Sequence, residues 1–196
     1  MKVRKIILLT LIFTLICGSA VFADSITQKV RVLLNKKEVD AASVLVDNKP
    51  YISAKLVADK LQAILLWDES NKKVTIYKPN VHMLTKNKDN DIFGVVNKDK
   101  DQKVKFNVFT QIDTLKAEIS AFKWTIVDPY QEETLIEARS SDDKDFPDSG
   151  KDNFWVNSKD ISYTFDSAGS YLIRFWMKPV GESSYQVVSE KVITSK

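Results

Sequence analysis

The sequence predicts a mainly β chain: a small α+β domain with one helix on an antiparallel sheet, then an antiparallel β-sandwich. Three observations carry this expectation. Over most of the 196 residues, apolar positions alternate with polar ones in short runs bounded by turn residues, which is the period of half-buried strands. One stretch, Ala54–Leu61, changes to helical spacing. The single cysteine, Cys17, lies near the start, so packed cores rather than disulfides must stabilise the chain.

The first residues read as a leader. Lys2, Arg4 and Lys5 precede residues 6–16, which are apolar apart from Thr10 and Thr14, and Val21-Phe22-Ala23 offers a cleavage site. This is the pattern of a secretory signal peptide over residues 1–23. An uncleaved anchor is the alternative. Residues 6–23 barely reach the ~17 apolar residues that span a bilayer, and Gly18-Ser19 interrupts them. Lipid attachment at Cys17 is disfavoured by the bulk of Ile16. Without the leader, 173 residues remain, carrying 26 basic and 26 acidic groups. A balanced chain gives no electrostatic case for nucleic acid or an anionic membrane, and no stable membrane span is expected after cleavage. Export together with cysteine avoidance suggests a secreted or wall-associated protein of a Gram-positive bacterium.

Two segments follow, with an expected boundary at 79/80. Residues 24–79 carry ten basic and seven acidic groups, and residues 80–196 carry 16 and 19. In the first, Val30, Val32 and Leu34 alternate with Lys29, Arg31 and Leu33, making residues 26–34 strand-like. Asn35-Lys36-Lys37 turns into Glu38-Val39. Val44-Leu45-Val46 is a short apolar run, turned by Asp47-Asn48-Lys49-Pro50. Ser53 suits an N-cap, and Ala54, Val57, Ala58 and Leu61 behind it share one helical face. Residues 64–67 are apolar, Asp68-Glu69-Ser70-Asn71 is turn chemistry, and Val74-Thr75-Ile76-Tyr77 closes a β-β-α-β-β order.

In that order, the Asn-Lys-Lys turn, the helix, Leu61-Gln62-Ala63-Ile64, Trp67-Asp68, Asn71-Lys72-Lys73 and Val74-Thr75-Ile76 resemble the copper amine oxidase-like N-terminal domain, or stalk domain, over residues 26–79. That family is common in exported proteins of Gram-positive bacteria. The resemblance implies an accessory stalk or docking module without oxidase chemistry. Two positions depart from the family. Ile52-Ser53-Ala54-Lys55 stands where a Pro-Leu-Arg-like helix start is usual, and Gln62 stands where a Gly usually follows the helical Leu. A glutamine in a left-handed cap costs on the order of 1 kcal/mol, so the helix is expected to end differently here. A copper site needs several imidazoles or thiolates. Outside the leader the chain has one histidine, His82, and no cysteine, so neither copper nor another cofactor is expected.

The second segment is strand-like throughout. Residues 81–84 and 92–96 are expected to pair across the polar 86–90 loop. Val104, Phe106 and Val108, then Phe122, Trp124 and Ile126, then Ile161, Tyr163 and Phe165, then Tyr171, Ile173, Phe175 and Met177 each alternate with polar or outward residues. Leu135-Ile136 and the Val187-to-Ile193 region complete about seven strands, the count of a sandwich. Tyr171 follows the tight turn Asp166-Ser167-Ala168-Gly169, where its hydroxyl can bond back and pin the corner. With Trp124 and Asp128-Pro129, the run from Tyr163 to Phe175 resembles bacterial Ig-like domains of the polycystic-kidney-disease-repeat type over residues 103–194. That resemblance implies a fold and assigns no function.

Residues able to carry chemistry are few. Asp142, Asp143, Asp145, Asp148 and Asp152 crowd the 139–153 loop and are candidate calcium ligands. Their spacing fits no EF-hand, and Lys144 and Lys151 oppose an ion, so a solvated loop is the expectation. Tyr130, Phe154, Trp155 and Trp176 are the candidate binding residues: aromatic rings suited to a flat platform for sugars or for a partner's apolar surface. Ordinary sandwich core is the competing account of them. His82, at the segment junction, is a candidate pH-sensitive or metal-binding residue and reads as an ordinary junction residue. Glycosidases need only two carboxylates, but nothing in the order of Glu118, Asp128, Glu132, Glu133 and Glu137 places two across a cleft. The five glycines are too scattered for a phosphate loop.

The expected function is therefore non-catalytic binding or docking at the bacterial surface, with a protein or wall polymer as partner. A secreted protease inhibitor using the 139–153 loop, and a carboxylate-only hydrolase, are the alternatives.

Overall fold

The computed structural model describes residues 30–34, 36–40, 43–148 and 150–196. The leader sequence read in residues 1–23 lies outside the described residues. The chain divides into two compact units, the first running to Ile52 and the second spanning Ser53–Lys196. The 79/80 boundary read from the charge pattern falls inside the second.

The first unit holds two hairpins. β1 (Val32–Leu34) pairs with β2 (Lys37–Val39), Leu34 opposite Lys37. β3 (Ser43–Val46) pairs with β4 (Lys49–Ile52), Val46 opposite Lys49. Between them Asp47 and Asn48 take φ of 49° and 57°. A two-residue hairpin whose twist matches its strands needs positive φ at both positions, and Asp and Asn tolerate it best after glycine. Arg31 forks onto Glu38, its Nε and Nη2 donating at 3.1 and 2.8 Å.

The second unit opens with α1 (Ala54–Leu61), whose first turn is capped by Ser53 accepting from Leu56 N–H at 3.4 Å. Gln62 ends the helix in the left-handed conformation (φ 54°, ψ 52°), with Ala63 N–H donating to Ala58 carbonyl at 2.8 Å. The helix thus ends where a glycine would end it, against the expectation that glutamine would avoid the cap; the closing hydrogen bonds outweigh the steric cost. β5 (Ile64–Asp68) and β6 (Lys73–Tyr77) form a hairpin. In its turn the Asp68 carboxylate accepts from the Asn71 and Ser70 side chains and from both their N–H groups, which holds it well below the usual carboxylate range.

The rest is a sandwich of two five-stranded sheets. Its strands are β7 (Asn80–Asn87), β8 (Ile92–Phe93), β9 (Val95–Val96), β10 (Val104–Asp113), β11 (Ile119–Val127), β12 (Glu133–Ser140), β13 (Phe154–Asn157), β14 (Ile161–Tyr163), β15 (Gly169–Pro179) and β16 (Gln186–Ser195). Sheet I runs β13-β10-β7-β8, with β14 beside the first residues of β10; sheet II runs β12-β11-β15-β16-β9. The expected pairing of 92–96 with 81–84 is corrected. Ile92 and Phe93 pair with Lys86 and Thr85 in sheet I, whereas Val95 and Val96 pair parallel with Thr194 and Ser195 in sheet II. Gly94 separates the two pairings. Strand β13, directly after the 139–153 loop, was not among the expected strands.

Alternation explains the core. Phe106, Val108, Thr110 and Ile112 of β10 are buried, as are Tyr171, Ile173, Phe175 and Met177 of β15, while their sequence neighbours are half-buried or exposed. Phe122, Trp124 and Ile126 of β11 complete the interior. Trp124 packs edge-on to Phe122, centroids 5.3 Å apart, and its indole N–H donates to Thr110 Oγ1 of the facing sheet at 2.9 Å. Ile64 of β5 joins this core, and Gln186 clamps its neighbour: Leu65 N–H donates to Gln186 Oε1 at 2.8 Å and Gln186 Nε2 donates to Leu65 carbonyl at 2.9 Å. A side-chain amide thereby replaces one rung of a β ladder.

The corner read at Tyr171 is formed. Ser167 N–H donates to the buried tyrosine's hydroxyl at 3.1 Å, and that hydroxyl lies 3.2 Å from Asp166 Oδ1. Gly169 beside it has φ 141°, and a Cβ there would meet Pro129 Cγ at 2.9 Å, so both backbone and space call for glycine.

One side of the sandwich, between β12 and the β13–β14 edge, is closed by an ion pair. Arg139 Nε donates to Glu137 Oε1 at 2.8 Å, with the side chains 13% and 8% exposed. Arg139 Nη2 donates to Asn157 carbonyl at 2.6 Å, Lys159 N–H donates to Glu137 Oε2 at 2.6 Å, and the guanidinium lies 5.5 Å from the Trp124 ring. Arg139 reaches across to β13, and Glu137 to the β13–β14 connection.

Three outcomes follow from this architecture. Gln62→Gly relieves the left-handed cap and raises stability by about 1 kcal/mol, measured by chemical denaturation. Arg139→Ala strands the buried Glu137 carboxylate and costs about 3–5 kcal/mol; adding Glu137→Gln recovers part of the loss. Tyr163 is held neutral chiefly by burial, then by the Tyr171, Asp128, Asp166 and Glu132 charges, which push it from 10.0 to about 12. The neutral phenol is favoured in the fold, so its contribution is intact below pH 10 and is lost as pH rises toward 12. In Tyr163→Phe this part of the alkaline destabilisation is absent.

Candidate binding face

The outer face of sheet I is set by the same alternation that builds the core. On β10 the residues between the buried ones are Lys105, Asn107, Phe109, Gln111 and Asp113. Registers place His82, Gln111 and Trp155 in one row across β7, β10 and β13, and Leu84, Phe109 and Asn157 in the next. Trp155 is 64% exposed. Its ring stacks on Phe109, centroids 6.0 Å apart and planes 27° from parallel, and Lys86 Nζ stands 5.1 Å from the centre of the Phe109 ring. An aromatic pair on an exposed sheet, bordered by side-chain amides, can stack a flat apolar surface and hydrogen-bond its rim. Phe109 and the Gln111 and Asn157 amides were not singled out in the sequence. Strand parity on β10 carries the signal, since Phe109 breaks the polar run Lys105, Asn107, Gln111, Asp113.

The four aromatics read as one platform are distributed over different surfaces. Phe154 alternates with Trp155 on β13, is half-buried and packs against the core. Trp176 is half-buried on the outward side of sheet II, its N–H donating to Thr125 Oγ1 at 2.8 Å, with Lys123 Nζ 4.9 Å from its ring centre. Tyr130 is 75% exposed in the β11–β12 turn, its N–H bonded to Asp128 Oδ1 at 2.8 Å. Among the four, only Trp155 belongs to the face described here.

The acidic loop begins after Ser140, because Arg139 is a half-buried strand residue rather than the first loop residue. Three of its five carboxylates have partners. Asp143 accepts from Ser140 N–H at 2.7 Å, Asp148 pairs with Lys151 and Asp152 with Lys116. Phe146 pins the loop by stacking on Phe122 at 5.3 Å. Among the described residues no three His, Cys, Asp or Glu side chains converge as metal ligands. His82 stands alone as an imidazole on β7, so the donor set does not fit copper. Glu133 accepts from Thr125 Oγ1 at 2.5 Å, and Asp128 caps its own turn. These carboxylates are committed to structure. Among the described residues no helix is long and apolar enough to cross a membrane.

Residues 33–117 match the family model of the copper amine oxidase N-terminal domain, a non-catalytic domain. The match reaches beyond the 26–79 span of the sequence resemblance, through β10 and into the loop after it. Comparison with curated proteins finds no match. Among solved structures, the X-ray structure of Northeast Structural Genomics Consortium target SoR45 is similar, with a TM-score of 0.37 and 10% identity over 60% of this chain and 86% of that chain.

Proposed function

We propose that the protein is exported and works without catalysis, docking at the bacterial surface through the outer face of sheet I, with a wall polymer or a surface protein as its partner. The observation that carries this reading is Trp155, held open to solvent by its stack on Phe109. A large ring left 64% exposed on an ordered strand keeps most of its apolar surface free for a partner. The family match of residues 33–117 supports an accessory role. The corner at Tyr171 and the division of β8 and β9 between two sheets support an Ig-like class for the sandwich. Such sandwiches recognise partners through surfaces borne on a rigid frame.

Sedimentation of the purified protein with insoluble cell walls, and a parallel array of surface proteins, tests the proposal. Trp155→Ala is expected to cost about 2 kcal/mol of binding, roughly thirtyfold, with unchanged thermal stability. Equal binding by the variant overturns the assignment of the face. Turnover of wall glycan, abolished by a single carboxylate substitution, overturns the non-catalytic reading. Inhibition of a secreted protease without wall or protein capture replaces it with the inhibitor alternative.

A further inference from the structure

The outward side of sheet II is not an ordinary solvated surface. Leu172, Arg174 and Trp176 alternate with the buried residues of β15, yet all three are half-buried. They form part of the floor of a cavity of about 490 Å3, one wall of which comes from α1 and Gln62. That volume lies within the range of small-molecule sites, roughly 300–1,000 Å3.

The polar groups of this cavity are tied to one another in a definite order. Trp176 N–H donates to Thr125 Oγ1 at 2.8 Å, and Thr125 donates to Glu133 Oε1 at 2.5 Å. Arg174 Nη1 lies 4.0 Å from the same Glu133 oxygen, and Arg174 Nε donates to Glu190 Oε1 at 2.8 Å. Gln62 Nε2 reaches the other Glu190 oxygen at 3.4 Å. The indole is therefore fixed at its edge. Glu190 is spent on Arg174, and Asp59 is spent on Lys55 at 3.1 Å. Lys60 also lines the cavity, and among the described residues its ammonium meets no carboxylate. The lining thus offers a held ring, the aliphatic surface of Leu172 and Val187, and the Lys60 ammonium; a second ammonium, Lys123 Nζ, stands 4.9 Å from the Trp176 ring centre and 4.7 Å from that of Tyr185.

We infer that this cavity binds a small organic carboxylate, its body against Trp176 and its anionic group on Lys60. The complementarity is of charge and of apolar surface together: an anionic group gains the Lys60 ammonium as a partner, and a cation is repelled by it. The carboxylate has two sources with the same chemistry, the free end of a short peptide and the acid group of a uronic sugar. The site is separate from the sheet I face, so either reading stands without the other.

Calorimetric titration of the full chain separates the outcomes. The ligands are an N-acetyl-leucyl-alanine free acid, the same dipeptide as its C-terminal amide, and a methyl glucuronoside. One of the two acids is expected to bind, and which one names the source. If the peptide acid is the one bound, its amide binds at least about tenfold more weakly. Lys60→Glu is expected to weaken the bound acid about tenfold or more, Lys60→Gln less, and Trp155→Ala not at all. Lys60 is exposed, so its variants fold. The inference is overturned if the peptide acid binds and its amide binds as tightly, if Lys60→Glu binds as the parent does, or if neither acid binds by about 10 mM.

Discussion

A buried indole nitrogen must find an acceptor, and the sandwich is organised around the one that does. Trp124 lies at the centre of sheet II and donates to Thr110 in the middle of sheet I. The bond sets how the two sheets face each other at that point, because an unpaired N–H there would cost about 1–3 kcal/mol. Other buried threonines follow the same rule. Thr85 donates to the Phe93 carbonyl across the β7–β8 pair, and Thr125 links Trp176 to Glu133. Apolar alternation closes the sheets over the core, and these hydroxyls hold them in one arrangement.

With the interior committed, any binding role falls to the outward faces and the edges. The edge between β12 and β13 is sealed by Arg139 and Glu137, which also tether the strand that carries Trp155, through the Asn157 carbonyl. The two outward faces differ in kind. Sheet I presents an open aromatic pair among amides. Sheet II presents a half-covered indole beneath a helix, with Arg174 paired to Glu190 and the Lys123 ammonium beside the ring. Flat and concave surfaces on opposite sides of one rigid frame suit ligands of different shape.

Much of this was legible in the residues. Period-two alternation located β10, β11 and β15, the shift to helical spacing located α1, and the Asp-Ser-Ala-Gly-Ser-Tyr run located the corner. Local patterns do not encode which surface a second layer covers. Trp176 read as a core or platform residue because its strand is apolar on both sides; only the approach of α1 makes its face a cavity floor. Phe154 and Trp155 read as a pair because they are adjacent, although adjacency in a strand sends side chains to opposite sides. Strand β13 was missed because four residues within a polar stretch give too short a period to recognise. Gln62 was judged on intrinsic conformational cost alone, whereas the cap is decided by the backbone bonds that close the helix.

The parallel pairing of Val95 and Val96 with Thr194 and Ser195 joins positions nearly a hundred residues apart. Sheet II therefore gains its last strand only when residues 186–195 are in place, and until then Val95 and Val96 have no ladder. Contacts so distant in sequence are slow to form. An incompletely assembled sheet leaves one margin unpaired and open to other chains. During synthesis the order of events is thereby weighted toward late completion of this margin.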